Sequence, residues 1–323
     1  MENKLSFQSI VEEEITIVED RMRDQAYDYH PDLQAALDHL INSGGKRIRP
    51  NITLLAGKML HGDTQSLITL SAAIELLHTA TLVHDDLIDG SLLRRGIATL
   101  NAKWSPAATV LTGDFLFAKA ANLAAEVCSI PVMKLFANTL STIVNGEIEQ
   151  LFTDRCNPDL DQYYRRIYAK TASLFETSSL AAAMIANSDI KAQEALQKYG
   201  YQLGLAFQIV DDIFDFTAEQ DQLGKPVGGD LRQGLITLPS LLYFEQNPDN
   251  TWVKDFFKYK CNPSSSFIDP LIEEIRISDT IKQSLEIANS HVQKSIEALS
   301  IFPNTIYTEG LESMALYVTE RKS

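Results

Sequence analysis

The sequence predicts an all-α protein, and three observations carry that prediction. Apolar residues recur at spacings of three and four over long stretches, alternating strand-like runs bounded by turns are scarce, and several periodic runs open at Pro or directly after Ser, Asp or Asn. In chain order the pattern places helices at Ser9 to Tyr27, then at Pro31 to Asn42 and Pro50 to Met59, each opening on its proline. Gln65 to Asp89 follows, then Pro106 to Val127 and Pro131 to Phe152, again with proline first. Leu160 to Asn187, Asp189 to Phe216 and Leu238 to Glu245 come next. The C-terminal third adds Trp252 to Tyr259, Asp269 to Arg276, Asp279 to Ser300 and Thr308 to Thr319. Ser71 to Ile88 and Leu203 to Phe216 are apolar or small nearly all the way round, which assigns them to a core.

Breaks fall at Gly90 to Asn101, Thr153 to Pro158, Thr217 to Thr237, Asn247 to Asn250 and Cys261 to Ser266, and none is a low-complexity linker. The expectation is one domain over 1–323, a bundle of about 10–13 helices, with a motif-bearing core at about 30–245 and C-terminal helices at about 250–320. A 45% hydrophobic share over 323 residues is enough for a sizeable core. The formal net charge of -15 argues against nucleic acid as a partner. Three cysteines, Cys128, Cys156 and Cys261, are odd in number and far apart, which fits a reducing compartment better than a disulfide framework. The acidic N-terminus lacks the basic start and apolar run of a signal peptide, and no transmembrane segment is expected, so the reading is cytoplasmic.

Against this background one pattern stands out. Asp-Asp-x-x-Asp occurs twice, as Asp85-Asp86-Leu87-Ile88-Asp89 and as Asp211-Asp212-Ile213-Phe214-Asp215, both times inside an apolar segment of helical period. With Asp at 23 of 323 positions the pattern is expected only about 0.1 times by chance. Crowding carboxylates into a core costs several kcal/mol unless a cation compensates. Helical geometry aligns His78, Leu82, Asp85 and Asp89 on one line with Asp86 beside it, and aligns Gln208, Asp211 and Asp215 with Asp212 adjacent. Two carboxylate faces on two buried helices most naturally oppose each other across a cavity. Magnesium suits them, because it prefers oxygen ligands and is commonly shared between carboxylates and substrate phosphates. An EF-hand calcium loop is not present in either segment.

The basic clusters point to phosphate as well. Gly44-Gly45-Lys46-Arg47-Ile48-Arg49-Pro50 sits at a helix start, where free N–H groups and the dipole favour an anion; alone it would be an ordinary solvated turn. Arg94-Arg95 follows the first aspartate motif by five residues. Lys170-Thr171 interrupts a helix lined with Ala and Ser, and Gly224-Lys225 with Gly228-Gly229-Asp230 makes a loop after the second motif, neither being a P-loop. Taken singly, His78 reads as a core histidine and Lys170 as an exposed lysine.

Together with His84, Gly113-Asp114-Phe115-Leu116, Phe207-Gln208-Ile209-Val210 and Thr237-Leu238-Pro239, these motifs make the chain resemble the trans-isoprenyl diphosphate synthases, the polyprenyl synthetase family. The match in order and spacing covers about the middle two thirds of the chain. The resemblance implies an isoprenoid synthase-like, all-α fold around a deep central cavity, a homodimer, and chain-elongating prenyl transfer from an allylic diphosphate to isopentenyl diphosphate. It further implies three magnesium ions held by Asp85, Asp89 and Asp211, with Asp86, Asp212 and Asp215 assisting. Arg94, Lys170 and Lys225 would grip the allylic diphosphate, while Lys46, Arg49, His78 and Arg95 would take isopentenyl diphosphate. Thr171 and Gln208 would face the developing cation, making Lys170, Thr171 and Gln208 the catalytic set. The hydrophobic product would pass to a membrane. One departure stands out: Leu235 occupies a position where many members carry a second loop lysine, which leaves the allylic site one cation fewer.

Short-product members tend to carry a bulky aromatic four or five residues before the first motif. Here those positions are Thr81 and Ala80, with Leu77, Leu76 and Ala73 further back, so the helix offers no aromatic floor for roughly 18 Å. The expectation is a product of about six to ten isoprene units. Three other readings stand beside this one. They are an all-α metal-dependent phosphohydrolase built on His78 and His84-Asp85, a dependent or regulatory subunit of a heteromeric synthase, and a terpene cyclase, in which Lys46, Arg49 and Arg95 would have no second diphosphate to hold.

Overall fold

The computed structural model describes residues 6–43, 45–94, 96–152, 156, 159–217, 227–262 and 265–321. Among them the chain is α-helical apart from its connections, short 3-10 and π turns, and one two-stranded hairpin, β1 (Leu93–Arg94) and β2 (Ile97–Ala98). Two compact units are distinguishable. One comprises Met1–Ser141, Leu174–Gly200 and Ile296–Ala315, and the other Thr142–Ser173, Tyr201–Ser295 and Leu316–Ser323.

The first unit is built on α4 (Thr64–Ile88), against which α1 (Glu12–Arg23), α3 (Ile48–Met59), α5 (Leu100–Lys103) and α6 (Pro106–Glu126) pack. α2 (Pro31–Asn42) lies against α1. Asp63 starts α4 by accepting the Ser66 backbone N–H at 2.8 Å, as a good N-cap does. Every residue from Leu67 to Leu77 is buried, because the helix is apolar nearly all round and is satisfied only by neighbours on every side. By length and composition α4 could cross a membrane, yet 78% of its most apolar window is buried inside the protein, which makes it a core helix.

Glu75 is the charge inside this apolar stretch, and Arg47 answers it. The Arg47 guanidinium donates to Glu19 at 2.8 Å, to Glu75 at 3.3 Å and to the Ile41 carbonyl at 2.7 Å, and the residue is buried. To aim inward it adopts a left-handed backbone, φ 46°, at the entry to α3. Arg47 therefore belongs to the core, although it lies in the basic cluster between Lys46 and Arg49.

In the second unit, α8 (Leu160–Ile167) runs into a π-helical turn at Tyr168–Ala172, beyond which the chain continues as α9 (Ser173–Ile185) in the first unit. α7 (Ile130–Phe152) and α10 (Ile190–Thr217) contribute their C-terminal portions. α11 (Gly229–Arg232), α12 (Leu238–Gln246), α13 (Thr251–Lys258), α14 (Ser265–Ile277) and α15 (Thr280–Ala298) complete it, with the end of α16 (Ile306–Glu320). Leu203, Ile209, Phe216, Leu238, Phe256, Leu271 and Ile275 are among its buried apolar residues.

Several features differ from the sequence expectations, the hairpin and the short α11 inside expected breaks among them. The predicted helix from Leu160 to Asn187 is interrupted by the π turn. α14 begins at Ser265 rather than at Asp269, so Pro270 lies inside it and forgoes one backbone hydrogen bond. Cys156 and Cys261 form a disulfide, whereas their odd number and wide spacing fitted a reducing compartment better than a disulfide framework; 105 residues separate them, a distance over which sequence is silent about contact. Cys128 is free and exposed.

His291 on α15 is buried, with Nδ1 2.6 Å from Gln202 Oε1 and Nε2 3.4 Å from the Tyr164 hydroxyl. Burial first, and the nearby Lys294 second, push its pKa down from 6.5 to about 4. The unfolded chain therefore takes up a proton as pH falls through 6.5, while the folded protein resists until about 4. This group's contribution is intact above pH 6.5 and declines by up to about 3 kcal/mol as pH drops toward 4. Urea unfolding at pH 7 and pH 4.5 should show a smaller loss of stability for His291→Gln than for the wild type. Equal losses would remove His291 from the acid response.

Candidate active site

The first aspartate motif ends α4 in the first unit. Asp89 is its C-cap, with its N–H on the Asp85 carbonyl at 2.8 Å. Asp85 keeps partial exposure and Asp89 is exposed, whereas Asp86 is buried and turned toward β1. There Arg94 holds it, donating Nε at 3.0 Å and Nη2 at 2.8 Å to Oδ1. The arginine expected to grip the allylic diphosphate thus also neutralises the middle aspartate of the motif.

Behind the motif, His84 meets α6 where Gly113 removes a side chain. A Cβ on Gly113 would lie 2.2 Å from His84 Nε2, so the imidazole would have to move from its place. His84 Nε2 approaches the Val110 carbonyl at 3.2 Å and Asp114 at 3.5 Å, and its ring lies 5.1 Å from that of Phe117. Gly113 and Asp114 accordingly serve the seam between α4 and α6.

On α3 and the turn before it, Lys46 is exposed and Arg49 is buried, its guanidinium 4.9 Å from the centre of the Phe175 ring. His78 on α4 is half-buried, and its carbonyl accepts the Thr81 hydroxyl at 2.7 Å. Of the proposed chain-length residues Leu77 and Ala80 are fully buried, while Thr81 retains exposed surface. Arg95, Gly44, Gly224 and Lys225 lie outside the described residues.

The second motif ends α10 in the second unit, and each carboxylate has a distinct partner. Asp211 pairs with Arg321 at 2.6 Å; that guanidinium also donates to the Phe207 carbonyl at 3.0 Å and lies 4.0 Å over the Phe207 ring. Asp215 accepts the backbone N–H groups of Gly229 at 3.0 Å and Asp230 at 3.1 Å, and so caps α11, where a carboxylate is favoured. Asp212 is buried, accepting the Tyr163 hydroxyl and the Gln208 side-chain amide, each at 2.8 Å. Burial, followed by the charge of Asp230, pushes its pKa up to about 7, with Gln208 and Tyr163 pulling the other way. Tyr163 is held well above its usual range by burial and then by Asp212.

Gln208 links this motif to the π turn, accepting the Thr171 hydroxyl at 2.5 Å through its side-chain oxygen. π turns recur at functional sites because they re-aim side chains within a helix. Here the turn carries Lys170, whose ammonium lies 3.5 Å from Glu147 on α7 and keeps considerable exposure, beside the buried Thr171. Leu235, in the turn after α11, is half-buried with its N–H on the Asp230 carbonyl at 2.9 Å.

The structure thus joins Thr171, Gln208 and Asp212 in one chain of hydrogen bonds, and it adds Tyr163, Glu147 and Arg321, which sequence reasoning passed over. Tyr163 had a usable signal, since it stands seven residues before Lys170 on a helical run. Arg321 had none, being separated from Asp211 by more than a hundred residues.

Comparison with known proteins agrees with the geometry. The family model for polyprenyl synthetase matches residues 30–275. The chain is 35% identical over its full length, and over 92% of the relative, to heptaprenyl diphosphate synthase component 2 of Bacillus subtilis. It is 34% identical to octaprenyl diphosphate synthase of Escherichia coli, covering 88% of each chain. Among solved structures, a Caulobacter crescentus polyprenyl synthase complexed with calcium and isoprenyl diphosphate superposes with a TM-score of 0.91 at 34% identity, over 98% of this chain and 97% of that one. A heptaprenyl diphosphate synthase from Staphylococcus aureus gives 0.89 at 34% identity, over 99% and 100%. From its doubled aspartate motif to its nearly full-length relatives, the chain belongs to the polyprenyl synthetase family.

Proposed function

We propose that this chain-elongating prenyltransferase condenses isopentenyl diphosphate with a geranyl, farnesyl or geranylgeranyl type of diphosphate to an all-trans product of about six to ten isoprene units. The observation that carries the reading is the doubled motif, whose Asp85, Asp89 and Asp211 keep accessible carboxylates at the ends of α4 and α10. Hard oxygen donors four residues apart on a helix end fit magnesium, and these three are the proposed ligands of three ions. Bound magnesium would supply Lewis-acid stabilisation of the charge that builds on the departing diphosphate. Family membership sets aside the phosphohydrolase reading, which needed further histidines beside His78 and His84.

The chain's own groups do the rest in this proposal. Arg94, Lys170 and Lys225 bind the allylic diphosphate. Lys46, Arg49, His78 and Arg95 bind isopentenyl diphosphate. Losing diphosphate from an allylic carbon leaves positive charge on carbon, and the oxygens of Thr171 and Gln208 are suited to stabilise it. The double bond of isopentenyl diphosphate attacks that carbon, and the released diphosphate takes the proton lost in elimination. Asp86 contributes by orienting Arg94, and Asp215 by ordering α11. A cytoplasmic homodimer that hands its product to a membrane belongs to the same proposal.

Asp85→Ala and Asp211→Ala should each lower magnesium-dependent condensation of labelled isopentenyl diphosphate onto farnesyl diphosphate by about 10²–10³-fold, with the unfolding midpoint retained. Near wild-type rates in both variants would defeat the metal reading. Ala80→Tyr should shorten the dephosphorylated products. Because Ala80 is fully buried, Thr81→Phe provides a second probe of the same wall. An unchanged product spectrum in both folded variants would count against this wall.

The similarity to a component 2 protein supports a second reading, in which an accessory subunit is needed. Assaying the purified chain alone separates the two. Elongation by the single chain removes that need, whereas inactivity despite intact folding and magnesium favours it.

A further inference from the structure

We propose that Tyr163 is a positioning residue for prenyl transfer, which acts through Asp212 to fix the side-chain amide of Gln208 with its oxygen toward Thr171. The inference rests on the reading of Thr171 and Gln208 as the groups that face the allylic cation. A glutamine amide has two ends of nearly equal size and opposite chemistry, one accepting and the other donating. Which end faces a developing positive charge decides whether the residue stabilises it or opposes it. Something must therefore hold the orientation.

Asp212 is placed to do so. The end of Gln208 that meets Asp212 is its NH2 group, which donates to Oδ1 at 2.8 Å. The oxygen is thereby turned to Thr171, which donates to it at 2.5 Å. Tyr163 occupies the other carboxylate oxygen, Oδ2, at 2.8 Å. Tyr163 is 1% exposed and Asp212 3%, so water does not substitute for either partner.

The ring of Tyr163 is itself held. Arg166 lies 5.5 Å from its centre and is anchored by a 2.6 Å bond to the Ile236 carbonyl. Tyr163 stands on α8, which leads into the π turn carrying Lys170 and Thr171. Its one hydroxyl thus ties the helix that delivers Thr171 to the helix that delivers Gln208. In this arrangement Asp212 positions Gln208 and is not itself a metal ligand.

Tyr163→Phe removes the hydroxyl and keeps the ring. It should lower kcat for condensation with farnesyl diphosphate by about 10–100-fold, the scale of losing a buried orienting partner. KM for both diphosphates and the magnesium concentration for half-maximal rate should stay within about twofold. Asp212→Asn should lower kcat in the same way without raising the magnesium requirement, and the double variant should be no worse than Asp212→Asn alone. A wild-type kcat in folded Tyr163→Phe, or additive losses in the double variant, would overturn the proposal. So would a several-fold rise in magnesium requirement for Asp212→Asn, which also decides the matter if Tyr163→Phe does not fold. Gln208→Ala tells the two layers apart: full activity in that variant sinks the underlying assignment, whereas loss there with no loss in Tyr163→Phe sinks only the role of Tyr163.

Discussion

The constraint on which this structure turns is that a carboxylate inside an apolar helix must be answered by a donor. Burial without one costs several kcal/mol per group. Both aspartate motifs meet the demand in the same way. The middle residue, Asp86 or Asp212, is buried and satisfied by side chains of the protein, by Arg94 in the first case and by Tyr163 with Gln208 in the second. The outer residues keep accessible surface. Helical geometry explains this division, because residues four apart share a face while the next residue along is rotated by about 100°. An Asp-Asp-x-x-Asp motif on the rim of a core helix thus offers two carboxylates outward and commits one inward.

The inward residues set how firmly each motif is held. Arg94 answers Asp86 with a charge, but from a hairpin of two residues per strand and with its guanidinium partly exposed. Asp212 is answered by two neutral donors from within the second unit, one of them on the neighbouring α8. Burial and then the charge of Asp230 raise the pKa of Asp212 to about 7, and its two neutral donors offset only part of that rise. The same motif therefore sits in two settings, the first with a cation against its buried carboxylate and the second with two neutral donors in a buried environment.

Much of this was legible in the sequence. The helix at Pro31 to Asn42 matches in full, and the bounds of α4, α6, α7 and α10 fall within a residue or so, because Pro, Asp and Ser caps act locally and apolar periodicity is a local property. The features that escaped are those set by contact across the chain. The π turn lies inside a helical run and carries Thr171, whose partner Gln208 is 37 residues away in sequence. α11 exists because Asp215 caps it from fourteen residues away. The inward role of Arg47, between Lys46 and Arg49, was not visible either, because composition does not reveal the left-handed entry that aims it at Glu75. The Cys156–Cys261 bond and the Arg321–Asp211 pair were hidden for the same reason.

The Arg321 contact bears on how the second motif can accept an ion. Asp211 carries the cation of the protein itself, at 2.6 Å, where the proposed function requires a metal. Such a pair would block the site if the arginine had nowhere else to go, since an unpaired guanidinium in a half-buried position is costly. Arg321 has other partners, the Phe207 carbonyl and the faces of Phe207 and Phe214 at 4.0 and 5.3 Å. Cation–π contact on two rings and a carbonyl bond offset part of the loss when the carboxylate is taken. A divalent ion that takes Asp211 from Arg321 therefore leaves the arginine its carbonyl and ring contacts, and with them part of the anchorage of the C-terminal helix.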